Sequence, residues 1–272
     1  MLGELYRPKG LALETAQAVL QTEQVYACNV AYGCSNACLY CYVPRFTRRR
    51  RDACEVRLPK KSPVDLVKHH LEHQWINVSE YYVFRHGTIV SLDDNFHTWT
   101  SKLGVFLSFL TDPFLPQVKE STEHLIAYLL DLGVTIATLS KLATSYYYSR
   151  HGMTVVSLDH DFWQKFEPNT LEPQRRIAAL EDCKGEKEDV WISMEPYPPS
   201  AIHKQRIEDL LEELSFVDLI VFGKWNYDPR ARTEAARGEY AENIKVLTDF
   251  CKSNNIRLHV KSDTLKFAFK ES

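Results

Sequence analysis

The chain has 272 residues, with 33 Lys+Arg against 36 Asp+Glu, a formal net charge of −3, 44% hydrophobic and 25% charged residues. That is an ordinary globular composition, which excludes collagen-like, low-complexity and wholly disordered chains, and the missing basic surplus removes any global sign of nucleic-acid binding. Seven cysteines, an odd number in a long chain, point away from a disulfide framework and toward reduced thiols or metal ligands.

The first twenty residues lack the apolar centre of a signal peptide, and no later run is long enough to span a bilayer, so a cytoplasmic protein is expected. A strand-like stretch, Gln24 to Val30, then leads into Tyr32-Gly-Cys34-Ser-Asn-Ala-Cys38-Leu-Tyr-Cys41-Tyr42. The spacing is C-x3-C-x2-C. Three thiolates on one tight loop suit three irons of a cubane cluster, with the fourth iron left open. A structural zinc loop needs a fourth ligand, for which Cys28, Cys54 or a histidine stands as the alternative. Gly33, Ser35 and Asn36 are loop formers that let the backbone curl.

From about Val43 to Lys102 the pattern is irregular and reads as an insertion. It carries the basic run Arg48, Arg49, Arg50 and Arg51, which with Arg45, Lys60 and Lys61 is the one local candidate for gripping phosphates. It also holds a helix-like Pro63 to Gln74 and a strand-like Tyr81 to Phe84. His69, His70 and His73 share helical spacing and read as a surface feature, with no metal assigned.

Beyond residue 102 apolar runs of strand length recur: Gly104 to Leu110, Val134 to Leu139, Met153 to Val156, Val190 to Met194, Val217 to Phe222 and Ile256 to Val260. Amphipathic helical stretches lie between them, at Val118 to Leu132, Ile202 to Leu214 and about Tyr240 to Cys251. This rhythm predicts an α/β fold, a partial parallel (β/α) barrel, as one domain over 1–272. Chemistry in such folds gathers where strands end, and the residues found there are polar: Thr111 and Asp112, Ser140 and Lys141, Ser157 and Asp159, Glu195, Lys224 and Asn226, Lys261 and Asp263. Tyr146 to Tyr148 and Trp225 to Tyr227 would line a pocket at this end. The other cysteines, Cys28, Cys54, Cys183 and Cys251, read as packing residues.

The cysteine motif with its following aromatic resembles that of the radical S-adenosylmethionine superfamily. Within it, Tyr6-Arg-Pro-Lys-Gly10, Cys38-Leu-Tyr-Cys-Tyr42, Thr111-Asp-Pro-Phe114, Leu139-Ser-Lys141 and Glu167-Pro168 with Arg176 are similar to the spore photoproduct lyase and DNA-repair-photolyase-like branch. The resemblance implies a [4Fe-4S] cluster on Cys34, Cys38 and Cys41, S-adenosylmethionine at its open iron, and hydrogen abstraction from a substrate after reductive cleavage. It also implies an electron donor of flavodoxin or ferredoxin type. Thr111 and Asp112 match the segment that meets the methionine amino group, and Lys141 and Ser157 match contacts to the carboxylate and ribose. Glu195 joins the cofactor site by its strand position. Tyr40 and Tyr42 match tyrosines linked to hydrogen-atom relay, and Tyr42 borders the cofactor. Phe109 replaces the lyases' hydrogen-donating cysteine, so their repair reaction is not expected. Kinship and the arginine run favour a nucleic acid or nucleotide substrate. The alternatives are a peptide, protein or small metabolite, or a cluster-bearing electron carrier or silent partner subunit.

Overall fold

The structure, a computed structural model, describes residues 2–22, 24–46, 55–86, 92–143, 150–186 and 188–269, of which 45–46, 75–86 and 92–95 are described by backbone alone. The Arg48 to Arg51 run, Cys54 and Tyr146 to Tyr148 lie outside the described residues, as does the Arg45 side chain.

In chain order the elements are β1 (Leu5–Tyr6), α1 (Leu11–Leu20), β2 (Gln24–Cys28), α2 (Val43–Phe46), α3 (Pro63–His86), α4 (Leu92–Thr100), β3 (Leu103–Leu107) and α5 (Lys119–Asp131). There follow β4 (Thr135–Thr138), β5 (Arg150–Thr154), α6 (His160–Phe166), α7 (Pro173–Gly185), β6 (Asp189–Tyr197), α8 (Ile207–Glu212), β7 (Leu219–Lys224), α9 (Glu234–Ser253), β8 (Arg257–Val260) and α10 (Ser262–Phe269). The eight strands form one sheet in the order β1 to β8. The first pair is antiparallel and every later one parallel, as the expected partial barrel requires.

Strand period sorts the side chains into two layers. On the outer face Val105, Leu107 and Ile136 pack with Leu125, Ile126 and Leu129 of α5 and with Val67 and Leu71 of α3. Ile192, Met194, Ile220 and Phe222 pack likewise under α7, α8 and α9. The inner face is closed by α1, whose Ala16, Val19 and Leu20 meet Val25, Ala27, Phe106, Ala137, Trp191, Leu219 and Val221. Side chains from β5 and β8 hold one end of this inner helix, and α10 the other. Arg150 Nη1 donates to the Val19 carbonyl (2.7 Å) and Arg257 Nη1 to that of Ala18 (2.9 Å), satisfying acceptors that a helix end leaves open. At the other end the Glu14 carboxylate accepts from the Ser262 hydroxyl (2.5 Å) and amide (3.1 Å).

Trp191 fills the inner layer by lying across Gly152 of β5, where a Cβ would fall inside the indole. Trp191 is 2% exposed and cannot swing into solvent. Gly152→Ala is therefore expected to destabilise the fold by about 1–3 kcal/mol through overpacking. A lower urea midpoint at unchanged slope would register it, and an unchanged midpoint would show that the indole has room.

Two expectations are corrected. Tyr81 to Phe84 lies within α3, not in a strand. Ser62 caps that helix through Val64 N→Oγ (3.2 Å), Pro63 opens it without losing a needed N–H, and no turn residue interrupts it. Extending an existing helix costs less than starting a new element, so the aromatic run is carried along. Glu195 and Lys224 do not follow their strands but belong to β6 and β7.

Candidate active site

The Tyr32 to Tyr42 loop leaves the carboxyl end of β2, the end at which all seven parallel strands finish. Two backbone positions curl it. Gly33 has φ +86° and packs so closely on the Glu55 carbonyl that a Cβ would collide, and Ala37 adopts a left-handed φ of 51°. Turn bonds run from Ala37 N to Cys34 O (3.5 Å) and from Cys41 N to Cys38 O (3.1 Å). Cys38 is buried, while Cys34 and Cys41 are partly so. Burial, with the Asp112 charge as a smaller contribution, pushes the Cys34 thiol up to about 12.

Two buried carboxylates from elsewhere in the chain fix this loop. Asp112, beyond β3, accepts from Asn36 Nδ2 (2.9 Å), Phe114 N (3.0 Å), Ser140 Oγ (2.7 Å) and Lys141 N (2.8 Å), tying the cysteine loop to the ends of β3 and β4. Glu167, after α6, accepts from the Tyr40 hydroxyl, while Leu39 N donates to Phe166 O (2.9 Å) and Asn169 Nδ2 to Ser35 O (3.0 Å). Arg176 of α7, 0% exposed, holds Glu167 at 2.5 Å and also donates to Leu171 O, Thr154 O and Thr170 Oγ1.

Lys141 sits over the Tyr40 ring, its Nζ 5.3 Å from the centroid. Burial disfavours its charge, but the Cys38 sulfur and Glu167 carboxylate alongside outweigh this and hold its pKa above the ordinary lysine value. The Tyr42 hydroxyl bonds the Phe109 carbonyl, and the Phe109 ring stacks on Phe106 at 4.5 Å. Asn29, just past β2, steadies that backbone: its Oδ1 accepts from Ser108 Oγ (3.1 Å), Phe109 N (2.9 Å) and Leu110 N (3.1 Å).

The structure thus brings Cys34, Cys38, Cys41, Tyr40, Asp112 and Lys141 together, with Tyr42 and the buried Thr111 beside them. Ser157 and Glu195 share the same end of the sheet but bond elsewhere. Ser157 Oγ accepts from Asp159 N (3.2 Å). A β-bulge between Met194 and Tyr197 re-aims Glu195 across Gly223, where it meets Lys261 Nζ at 2.8 Å. Cys28, Cys183 and Cys251 are buried in the outer apolar layers, as packing residues would be. Sequence reading missed Asn29, and gave Asn36 and Glu167 no bonding role. A polar residue directly after a strand was the available signal for Asn29.

The donor set fits a multi-iron cluster. Among the described residues no three His, Cys, Asp or Glu side chains converge on a point suited to a single metal ion. A cubane takes each loop sulfur on a different iron and needs no such convergence. The buried amide oxygen of Asn36, without a partner inside the loop, adds an acceptor beside the thiols.

A parallel partial barrel carrying a cysteine loop at its first parallel strand defines a class of fold, and solved structures share it. The chain is similar to a spore photoproduct lyase variant with bound AdoMet and dinucleoside spore photoproduct, at TM-score 0.55 and 13% identity, over 89% of this chain and 76% of that one. It is similar to spore photoproduct lyase complexed with dinucleoside spore photoproduct at TM-score 0.53 and 14% identity, with the same coverage. The fold is therefore the partial parallel barrel seen in spore photoproduct lyase. Among curated proteins, the uncharacterized ORF301 of Acidianus two-tailed virus is 24% identical over 237 residues, 81% of this chain and 73% of its own length. No family model matches. No helix among the described residues is long and apolar enough to cross a membrane.

Proposed function

We propose that this chain is a radical S-adenosylmethionine enzyme acting on a nucleic acid or nucleotide. The observation that carries the reading is the three-cysteine loop, held at the strand ends by Asp112 and Glu167 with the Lys141 ammonium beside Cys38. Cys34, Cys38 and Cys41 would hold the [4Fe-4S] cluster. When bound, the cluster and S-adenosylmethionine supply one-electron cleavage of the sulfonium and a carbon radical that takes a hydrogen atom from the substrate.

The protein's part is to bind and orient. Lys141 places a half-buried cation where a ligand carboxylate would be met, and its backbone is pinned by Asp112. Thr111 and Ser157 offer hydroxyls beyond the ends of β3 and β5, on either side of β4. Tyr40 keeps its proton toward Glu167, which makes it a strut of the loop, whereas Tyr42 is 39% exposed and stands at the mouth. Phe109 offers no thiol at this position, and its carbonyl accepts from the Tyr42 hydroxyl.

Support for a polyanionic substrate comes from a cavity of about 520 Å³ whose lining holds three cations, Arg57, Lys60 and Lys61, against one carboxylate, Glu4, with Leu2, Leu58 and Leu66. Arg57 pairs in antiparallel fashion with Tyr32 at the start of the cysteine loop, so this basic groove adjoins the site. The spore photoproduct lyases of the same fold are bound to a dinucleoside.

The test is 5′-deoxyadenosine formation by anaerobically reconstituted protein given S-adenosylmethionine and a strong reductant. Its appearance is expected. An intact cluster that yields none, even with oligonucleotides present, would move the protein to the electron-carrier or partner role. Turnover stimulated by peptides and not by oligonucleotides would replace the substrate class.

A further inference from the structure

Asp112 looks from its strand-end position like a ligand-binding carboxylate, but its bonding leaves it no capacity for one. Oδ1 accepts from Phe114 N and Ser140 Oγ, and Oδ2 from Asn36 Nδ2 and Lys141 N, which fills the roughly four acceptor directions of a carboxylate. An arriving ammonium would have to displace one of these buried donors.

Asn36 is in the opposite condition. It is 3% exposed, and its Oδ1 is buried with no partner. A carboxylate accepts and does not donate, so Asp112 forces the Asn36 NH2 group toward itself and turns the amide oxygen the other way. Both oxygen and nitrogen are thereby assigned by chemistry. The result is an open acceptor, sequestered from water, on a residue between Cys34 and Cys38. Buried acceptors are almost always paired, and one left open in a loop anchored through Asp112, Phe166, Glu167 and Asn169 calls for a donor from outside the chain.

We infer that Asn36 Oδ1 accepts a hydrogen bond from the amino group of the ligand bound against the cysteine loop, and that Asp112 is a positioning residue that orients it. This rests on the reading above in taking that ligand to be S-adenosylmethionine. No covalent step is involved. The arrangement explains why Asp112 also holds the Lys141 amide: one carboxylate sets both an acceptor for the ammonium and the backbone of a cation suited to the carboxylate of the same amino-acid moiety.

The experiment is calorimetric binding of S-adenosylmethionine and of its desamino analogue to cluster-loaded protein, with iron content measured first for each variant. Wild type is expected to favour S-adenosylmethionine. Asn36→Ala should lose about 10-fold or more in affinity for it, the size of one hydrogen bond to a charged group, while binding the desamino analogue unchanged. Asp112→Asn supplies a second variant: Asn36 Nδ2 and Lys141 N donate to the same Oδ2, so an NH2 group there turns the Asn36 amide over and also frees the Lys141 amide, and both ligands should bind more weakly, S-adenosylmethionine by the larger factor. If Asn36→Ala binds S-adenosylmethionine as wild type does, or loses both ligands equally, the inference falls while the functional reading stands. If wild-type protein with a full cluster binds neither compound, the functional reading itself falls.

Discussion

Cys38→Ala protein, reconstituted anaerobically with iron and sulfide, is expected to fold normally, carry only background iron and form no 5′-deoxyadenosine. Cys38 is the middle ligand of the loop and lies beside Lys141 and Glu167, so no other thiol can replace it without unwinding the turn that bonds Cys41 N to Cys38 O. The fold itself loses little, because trimming one sulfur from a loop held by Asn36, Leu39 and Tyr40 costs about 1 kcal/mol. Cys28→Ala and Cys183→Ala are the controls. Their sulfurs face the outer apolar layers, and iron content in both should match wild type. A Cys38→Ala protein with full iron content would overturn the ligand assignment. Loss of iron in Cys28→Ala would instead revive a site completed by that residue.

What could be read in advance follows from how locally each feature is encoded. The parallel strands were legible because strands covered on both faces are continuous apolar runs, and the cysteine loop because its ligands lie within one turn. The inner helix α1 was not. Its buried face is Thr15, Ala16, Val19 and Leu20, small and short enough to suit the inside of a barrel but too weak a stripe to announce a helix. What stabilises it is Arg150 and Arg257, more than a hundred residues away in sequence. The site divides in the same way. Lys141 was found from its place after an apolar run, whereas the role of Asn36 depends on an aspartate 76 positions later, and that of Tyr40 on a glutamate 127 positions later. Glu195 was placed at the right end of the sheet but one step outside its strand, because a β-bulge has no signature in a list of apolar residues.

The same long-range logic makes Arg176 the residue whose loss should cost the fold most. Its guanidinium is wholly buried, and its four bonds, to Glu167, Thr170 Oγ1, Leu171 O and Thr154 O, link α7 to β5 and to the segment after α6. Arg176→Met leaves the Glu167 carboxylate, 2% exposed, without its bonded countercharge and, among the described residues, with only the Lys141 ammonium nearby, and breaking a buried pair of this kind costs about 3–5 kcal/mol. Lysine cannot substitute, since one ammonium cannot reach four acceptors set out for a planar fork. Adding Glu167→Gln to Arg176→Met should restore part of the loss, because a neutral amide needs no countercharge and its oxygen still accepts from Tyr40. A coupling of about 0.5–3 kcal/mol between the two sites in urea melts is the expected signature. Both proteins should load iron poorly relative to wild type even at temperatures where they remain folded, since Phe166, Glu167 and Asn169 together make three of the bonds that hold the cysteine loop. If Arg176→Met melts normally and fills with iron, the Glu167–Arg176 pair is dispensable to the loop. The anchorage of the cysteines would then rest on Asp112 and on the Leu39–Phe166 and Ser35–Asn169 bonds.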